Sequence, residues 1–91
     1  MNNQSSQALV TSPTASNIRP LTDLQSNEAA RIHKLRGGLG FRRRLAALGF
    51  TPGTEITMLQ NRGHGPVIVT IRDTRVALGR GEAYKIVVKS K

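Results

Sequence analysis

The chain has 91 residues, no cysteine, and fourteen Lys and Arg against five Asp and Glu, which gives a formal net charge of +9. The absence of cysteine excludes disulfides, iron–sulfur clusters and thiolate zinc sites. No apolar run approaches the roughly 18 residues of a membrane span, and the N-terminal residues lack the apolar core of a secretory signal, so we expect a cytoplasmic protein. The basic excess favours acidic partners, which include nucleic acid, anionic lipid and acidic protein surfaces.

Two regions differ in composition. Residues 1–19 are rich in Asn, Gln, Ser and Thr and cannot bury enough apolar surface to offset the entropy of ordering, so we expect a disordered tail. Residues 20–91 then form a single small domain that begins with a short turn at Pro20–Ser26. A chain this short hides only about 60–65% of its surface on folding, which leaves no room for a deep active-site cleft.

The first predicted strand is Ala29–Leu35, with Ala30 and Ile32 facing inward. Leu35 follows Ile32 at a spacing of three residues rather than two. Since side chains alternate with period two along a strand, this spacing predicts a bulge or the end of the strand.

One helix is predicted, at Phe41–Leu48. At about 100° per residue, Arg42 and Arg43 point away from the domain and Arg44 lies at the edge of the apolar stripe. The apolar side chains of that stripe are Phe41, Leu45 and Leu48.

The residues after the helix predict a sharp reversal of the chain. Gly49 is placed to end the helix in a left-handed conformation, with Phe50 as the accompanying apolar contact. In the sequence Thr51–Thr54, Pro52 and Gly53 occupy the two central positions of a type II turn.

Period-two alternation continues to the C-terminus. It predicts four further strands, at residues 55–60, 66–72, 75–78 and 84–89, with Asp73-Thr74 as a hairpin turn and a brief 3₁₀ turn at 79–83. Five short strands and one helix are too few for a two-sheet sandwich. The expected fold is therefore mainly β, a strongly bent and partly closed five-strand barrel with one short helix, since closure removes exposed strand edges.

No arrangement of catalytic or metal-binding residues is evident. The five acids are well separated along the chain, and the serines lie in tails or turns remote from both histidines. His33 and His64 have Arg31, Lys34 and Arg62 as neighbours, which disfavour a bound cation. We therefore expect neither enzymatic activity nor a metal site, and no cofactor.

The surface offers partner-binding candidates instead. Arg42 and Arg43, beside Leu39 and Phe41, would form a mixed apolar and basic patch. Three outward-facing strand residues are also apolar; they are either covered by the helix, the long loop or residues 20–26, or they form a dimer or partner surface. The candidate partner-binding residues are Leu39, Phe41, Arg42, Arg43, Leu59, Arg62, Ile68 and Val87.

Two segments resemble the FeoA family. Residues 44–54 (RLAALGFTPGT) are similar to the family's helix and Leu-Gly-aromatic-x-Pro-Gly turn, and residues 76–88 (VALGRGEAYKIVV) to its closing Ala-Leu, Glu-Ala and Ile-x-Val pattern. The residues that carry the resemblance are Arg44, Leu45, Gly49, Pro52, Gly53, Leu78 and Ala83. The resemblance implies an SH3-like β-barrel. It also implies a cytosolic partner of FeoB, the membrane transporter whose GTP-binding domain faces the cytoplasm.

Two alternative functions remain open at this point. Small basic SH3-like barrels also bind RNA or ribosomes, although this chain lacks the several stacking aromatics typical of single-strand readers. A stand-alone counterpart of the SH3-like domain of metal-dependent repressors is the other alternative. Such repressors need a preceding DNA-binding winged helix, which the N-terminal tail cannot supply.

Overall fold

The computed structural model of the protein describes residues 17–91. The strands are Ile18–Pro20 (β1), Ala29–Leu35 (β2), Glu55–Gln60 (β3), Val67–Ile71 (β4), Thr74–Leu78 (β5) and Ile86–Ser90 (β6). The helical elements are a 3₁₀ turn at Leu21–Asp23, α1 at Leu39–Ala47 and α2 at Arg80–Tyr84.

All six strands form one sheet in the order β1-β6-β2-β3-β4-β5, and every neighbouring pair is antiparallel. The curved sheet encloses a single core, to which the turn and helix residues Leu21, Leu24, Leu45 and Phe50 also contribute. The predicted fold class, a mainly β barrel with a short helix, is confirmed. The number of strands is six rather than five.

The additional strand is β1, which pairs with β6. It begins at Ile18, two residues before the domain boundary that the composition predicts, because its backbone completes a ladder that starts with the Ser90 N–H donating to the Asn17 carbonyl at 2.9 Å. The disordered tail predicted for residues 1–19 is wrong at residues 18 and 19, which belong to β1. Residues 1–16 lie outside the described part of the chain.

The predicted irregularity in the first strand is confirmed as a bulge. Ala30 and Ile32 are buried, and the register between β2 and β6 shifts between Ile32 and Lys34. A second shift, between Met58 and Gln60 of β3, has no counterpart in the sequence prediction.

Helix α1 begins two residues earlier than predicted and ends one residue earlier. Gly38 caps its N-terminus and accepts a hydrogen bond from the Arg42 N–H at 3.0 Å. Leu48 lies beyond the helix and is 44% exposed, so its expected place in the apolar stripe is wrong. Gly49 does end the helix, with φ +105°, and Phe50 turns back into the core, its N–H donating to the Leu45 carbonyl at 3.0 Å.

The β4–β5 hairpin turns one residue earlier than predicted. Ile71 pairs with Thr74, so the two loop residues are Arg72 and Asp73, both with positive φ. This is the backbone of a two-residue hairpin that matches the twist of its strands. The sequence prediction missed it because Arg72 continues the alternating pattern of β4.

The segment before the last strand is also more helical than predicted. Residues 80–84 form α2 instead of a 3₁₀ turn, so that Tyr84 ends a helix and β6 starts at Ile86.

Candidate functional site

The two segments that carry the family resemblance meet in space. The guanidinium of Arg44 on α1 pairs with the Glu82 carboxylate on α2, and Glu82 also accepts a hydrogen bond from the Gly79 N–H at 3.3 Å, which caps α2. Beneath this contact, Leu45 and Ala83 are fully buried in the common core, together with Leu78. Leu45 is the residue of α1 that is buried in this core, and its packing fixes the direction in which the outer side chains of the helix project.

Phe41 lies at the border of this contact rather than on the outer side of the helix. Its ring is half-buried against the core. The Arg44 guanidinium carbon is 5.6 Å from the ring centroid, and the Lys85 Nζ is 5.3 Å from it. Both cations lie within the range of a favourable cation–π interaction. Phe41 therefore anchors the helix, and the expectation that it shares a patch with Leu39 is wrong.

The outer face of α1 consists of Leu39, Arg42 and Arg43. The two arginines follow Leu39 at spacings of three and four residues, so all three lie on one side of the helix. All three are exposed, Leu39 to 54%. Neither arginine forms an ion pair within residues 17–91. Leu39, Arg42 and Arg43 therefore form an exposed apolar and basic surface on α1, and its role in binding a partner stays a prediction.

The other predicted partner-binding residues are dispersed. Leu59 and Ile68 are half-buried neighbours on β3 and β4, near the bulge. Val87 on β6 is only 6% exposed, and two strands separate β6 from β4 in the sheet.

Arg62 belongs to the exposed loop between β3 and β4. That loop is bound to the 3₁₀ turn and to α2. The Asn61 amide donates to the Thr22 and Leu24 carbonyls at 3.0 and 2.7 Å, and the Asn61 side-chain oxygen accepts from Arg80 at 2.8 Å. None of the hydrogen bonds of the described residues joins this loop to α1.

The acids of the domain are largely engaged by neighbouring cations. Glu28 pairs with Arg19, Glu82 with Arg44, and Glu55 with Lys91 at 3.0 Å. The pKa of Glu28 is lowered, mainly because its carboxylate accepts a hydrogen bond from the Gln25 N–H and also from Arg19. The remaining basic side chains, including the outer face of α1, therefore dominate the surface potential.

Within residues 17–91, no three His, Cys, Asp or Glu side chains converge as metal ligands, and none of the helices there is long and apolar enough to cross a membrane. His33 and His64 are both exposed, one in the β2 bulge and one in the β3–β4 loop.

One surface feature escaped the sequence analysis. A shallow cavity of about 150 Å³ is lined by Ile18, Arg19, Pro20, Arg36, Tyr84 and Val87. The sequence prediction assigned Ile18 to a tail and Tyr84 to a strand, so it could not bring them together. Three consecutive apolar residues at 86–88 are the one signal that β6 is covered on both faces.

The sequence of the described domain is similar to known proteins. The model of the FeoA domain family matches residues 19–90. A curated protein of Methanocaldococcus jannaschii, described as a putative Fe(2+) transport protein A, is 33% identical over 70 residues, which cover 77% of this chain and 84% of that protein.

Solved structures agree in fold. A crystal structure of an iron uptake regulatory protein (FeoA) superposes with a TM-score of 0.74 at 29% identity, covering 79% of this chain and 96% of the other. The zinc complex of Stenotrophomonas maltophilia FeoA, described as a procaryotic SH3 domain protein, gives a TM-score of 0.69 at 31% identity and covers 77% of this chain and 88% of the other. The expected SH3-like barrel is therefore confirmed.

Proposed function

Since this chain belongs to the FeoA domain family, we propose that it is a cytoplasmic accessory protein of ferrous iron uptake that binds the cytoplasmic part of a FeoB-type transporter and modulates it. The descriptions of two similar proteins support a role in this transport. The M. jannaschii relative is described as a putative Fe(2+) transport protein A. The S. maltophilia protein is described as possibly acting as a ferrous iron transport activating factor. In this role the protein performs no chemistry of its own and acts through contact.

The observation that carries the proposal is the outer face of α1. An exposed leucine beside two arginines that have no ion-pair partner within residues 17–91 combines an apolar anchor with a charged rim, which is the usual make-up of a protein-binding patch. The buried Leu45 and the half-buried Phe41 hold the helix against the core. The patch is therefore presented on a rigid support, which lowers the entropy cost of binding.

A charge-reversal experiment tests this assignment. Arg42→Glu with Arg43→Glu should weaken binding to the purified cytoplasmic domain of the cognate transporter about tenfold or more, because each rim contact is worth roughly 0.5–1 kcal/mol and reversal adds repulsion. The affinity of the unaltered protein should also fall with added salt, since exposed charges are screened over about 8–10 Å.

The matched control is Arg31→Glu with Arg75→Glu, which changes the net charge equally at two exposed positions away from α1. The control should bind within about twofold of the unaltered protein. Equal losses in both double variants would show that net charge rather than the outer face of α1 determines binding, and would remove that face from the interface.

The RNA-binding alternative has less support. Readers of single strands stack bases on several aromatic side chains, whereas Phe50 is buried, Phe41 is half-buried and only Tyr84 is exposed among the three aromatics of the chain. Tight, salt-sensitive binding to RNA with none to the transporter domain would overturn the proposed function in favour of this alternative.

A further inference from the structure

The cavity beside β1 lies on the outer surface of the sheet, not in the barrel core. Ile86, Val87 and Val88 are consecutive and all buried, and side chains alternate between the faces of a strand. Ile86 and Val88 belong to the core cluster, so Val87 faces outward and forms the floor of the cavity. Ile18, Pro20 and Tyr84 surround it, with Tyr84 64% and Ile18 39% exposed.

Strand β1 is also the edge of the sheet, because its only strand partner within residues 17–91 is β6. The Ser90 N–H donates to the Asn17 carbonyl, so these two residues are a hydrogen-bonded pair of the ladder, and the next pair is Ile18 with Lys89. In an antiparallel ladder, bonded and non-bonded pairs alternate, so the N–H and C=O of Ile18 point away from β6. Such an edge can accept a further extended strand, and the cavity lies directly beside it.

The rim of the cavity is basic. Arg36 lines it and is held there by its backbone N–H, which donates to the Lys85 carbonyl at 2.8 Å. Lys34 is opposite Val87 in the register, and Lys89 is opposite Ile18. All three cations are exposed, and none of them is in an ion pair within the described residues.

We infer that this groove, formed by Ile18, Pro20, Arg36, Tyr84 and Val87, binds an extended acidic segment of a partner protein. The segment adds to the edge of β1, places one apolar side chain on Val87, and directs carboxylates toward Arg36 and the neighbouring lysines. A cavity of about 150 Å³ suits one such side chain, since a cavity of that size holds a benzene molecule. The inference rests on the proposed role as a protein-binding accessory and adds the chemistry of the segment that is bound.

The test is a titration of the ¹⁵N-labelled full chain with a synthetic probe, acetyl-Glu-Glu-Leu-Glu-Glu-amide, followed by amide chemical shifts. The expected result is saturable shifts at Ile18, Tyr84 and Val87. Two comparison peptides, one with glutamine in place of glutamate and one with glycine in place of leucine, should bind at least about fivefold more weakly. Shifts spread over the basic surface, or equal binding of all three peptides, would overturn the inference.

Protein variants separate the groove from general charge. Arg36→Glu and Tyr84→Ser change exposed side chains and should each lower the affinity for the probe about fivefold or more. Arg75→Glu on β5, at the other end of the strand order, makes the same charge change as Arg36→Glu and should lower the affinity less than twofold. An equal loss in Arg36→Glu and Arg75→Glu would contradict a site at β1.

The groove inference and the proposed function can be disproved separately. If the probe does not bind while the α1 reversals still weaken binding to the transporter domain, the groove inference is wrong and the proposed function stands. If the probe binds at the groove while the transporter domain does not bind, the groove is real and its partner is a different acidic protein.

Discussion

The side chain of Arg72 lies across the α-carbon of Gly49. A Cβ atom at position 49 would be 2.8 Å from the Arg72 Cδ and 3.1 Å from its Nε. The tip of the β4–β5 hairpin therefore rests on the end of α1, and the contact depends on the absence of a side chain at Gly49. The same glycine has φ +105°, a region that L-residues rarely adopt.

Gly49→Val should destabilise the fold more than Gly63→Val. Gly63 has φ +87°, but a Cβ atom added there would have no neighbouring atom of the described residues within 4 Å. Both variants therefore carry left-handed strain of roughly 1–2 kcal/mol, while only the first displaces Arg72. Thermal or denaturant unfolding of both variants measures the difference. Combining Gly49→Val with Arg72→Ala should recover part of the loss; no recovery would show that backbone strain alone accounts for the effect at position 49.

Asn61 should be among the most sensitive polar residues of the domain. Its side chain donates to the Thr22 and Leu24 carbonyls and accepts from Arg80 and from the Gly63 N–H. Asn61→Ala removes the part-buried hydrogen bonds to Thr22, Leu24 and Arg80 and should cost about 1–3 kcal/mol of unfolding free energy. Asn61→Asp, which is the same size but turns a carboxylate oxygen toward the two carbonyls, should not restore stability. Urea unfolding of both, with the exposed neighbour His64→Ala as control, decides the matter; unchanged midpoints would mean that water replaces the amide without cost.

The Arg44–Glu82 pair should contribute little to global stability. Its side chains are 57% and 41% exposed, and exposed pairs are typically worth about 0.2–1 kcal/mol. A double-mutant cycle with Arg44→Met and Glu82→Gln should give a coupling energy in this range that decreases in high salt. A coupling above about 2 kcal/mol would mean that the pair is shielded from solvent in solution.

The stability of the domain should depend on the charge of Glu28 in the acid range. The pKa of this carboxyl is lowered in the folded state, so the folded protein binds fewer protons there than the unfolded chain and stability rises with pH. The contribution is fully present above the unfolded value of about 4.3 and is lost as the pH falls through the lower folded value. Glu28→Gln should therefore reduce the urea midpoint at pH 7 and have a smaller effect near pH 3. A midpoint difference that is the same at both pH values would exclude an electrostatic origin.

The sequence alone determined the local features, because these depend on neighbouring residues. The left-handed end of the helix follows from Gly49. The 51–54 turn, closed by the Thr54 N–H and the Thr51 carbonyl at 3.0 Å with positive φ at Gly53, follows from Pro52-Gly53. Alternation likewise predicted the inward residues of β3 and β4, and Arg42 and Arg43 were predicted on the outer side of α1 from helical periodicity alone.

Tertiary structure decided the features that need distant residues. Ile18–Pro20 is a strand only because β6 presents a free edge to it, and a three-residue segment has too little local preference to be predicted. Val87 is part of a groove, rather than an open apolar surface, because β1 and Tyr84 surround it. Phe41 is half-buried because it packs against the core, and Lys85, which is distant in the sequence, joins Arg44 in flanking its ring. In each case the deciding contact joins residues far apart in the chain, and the energy of that contact does not appear in any local pattern of the sequence.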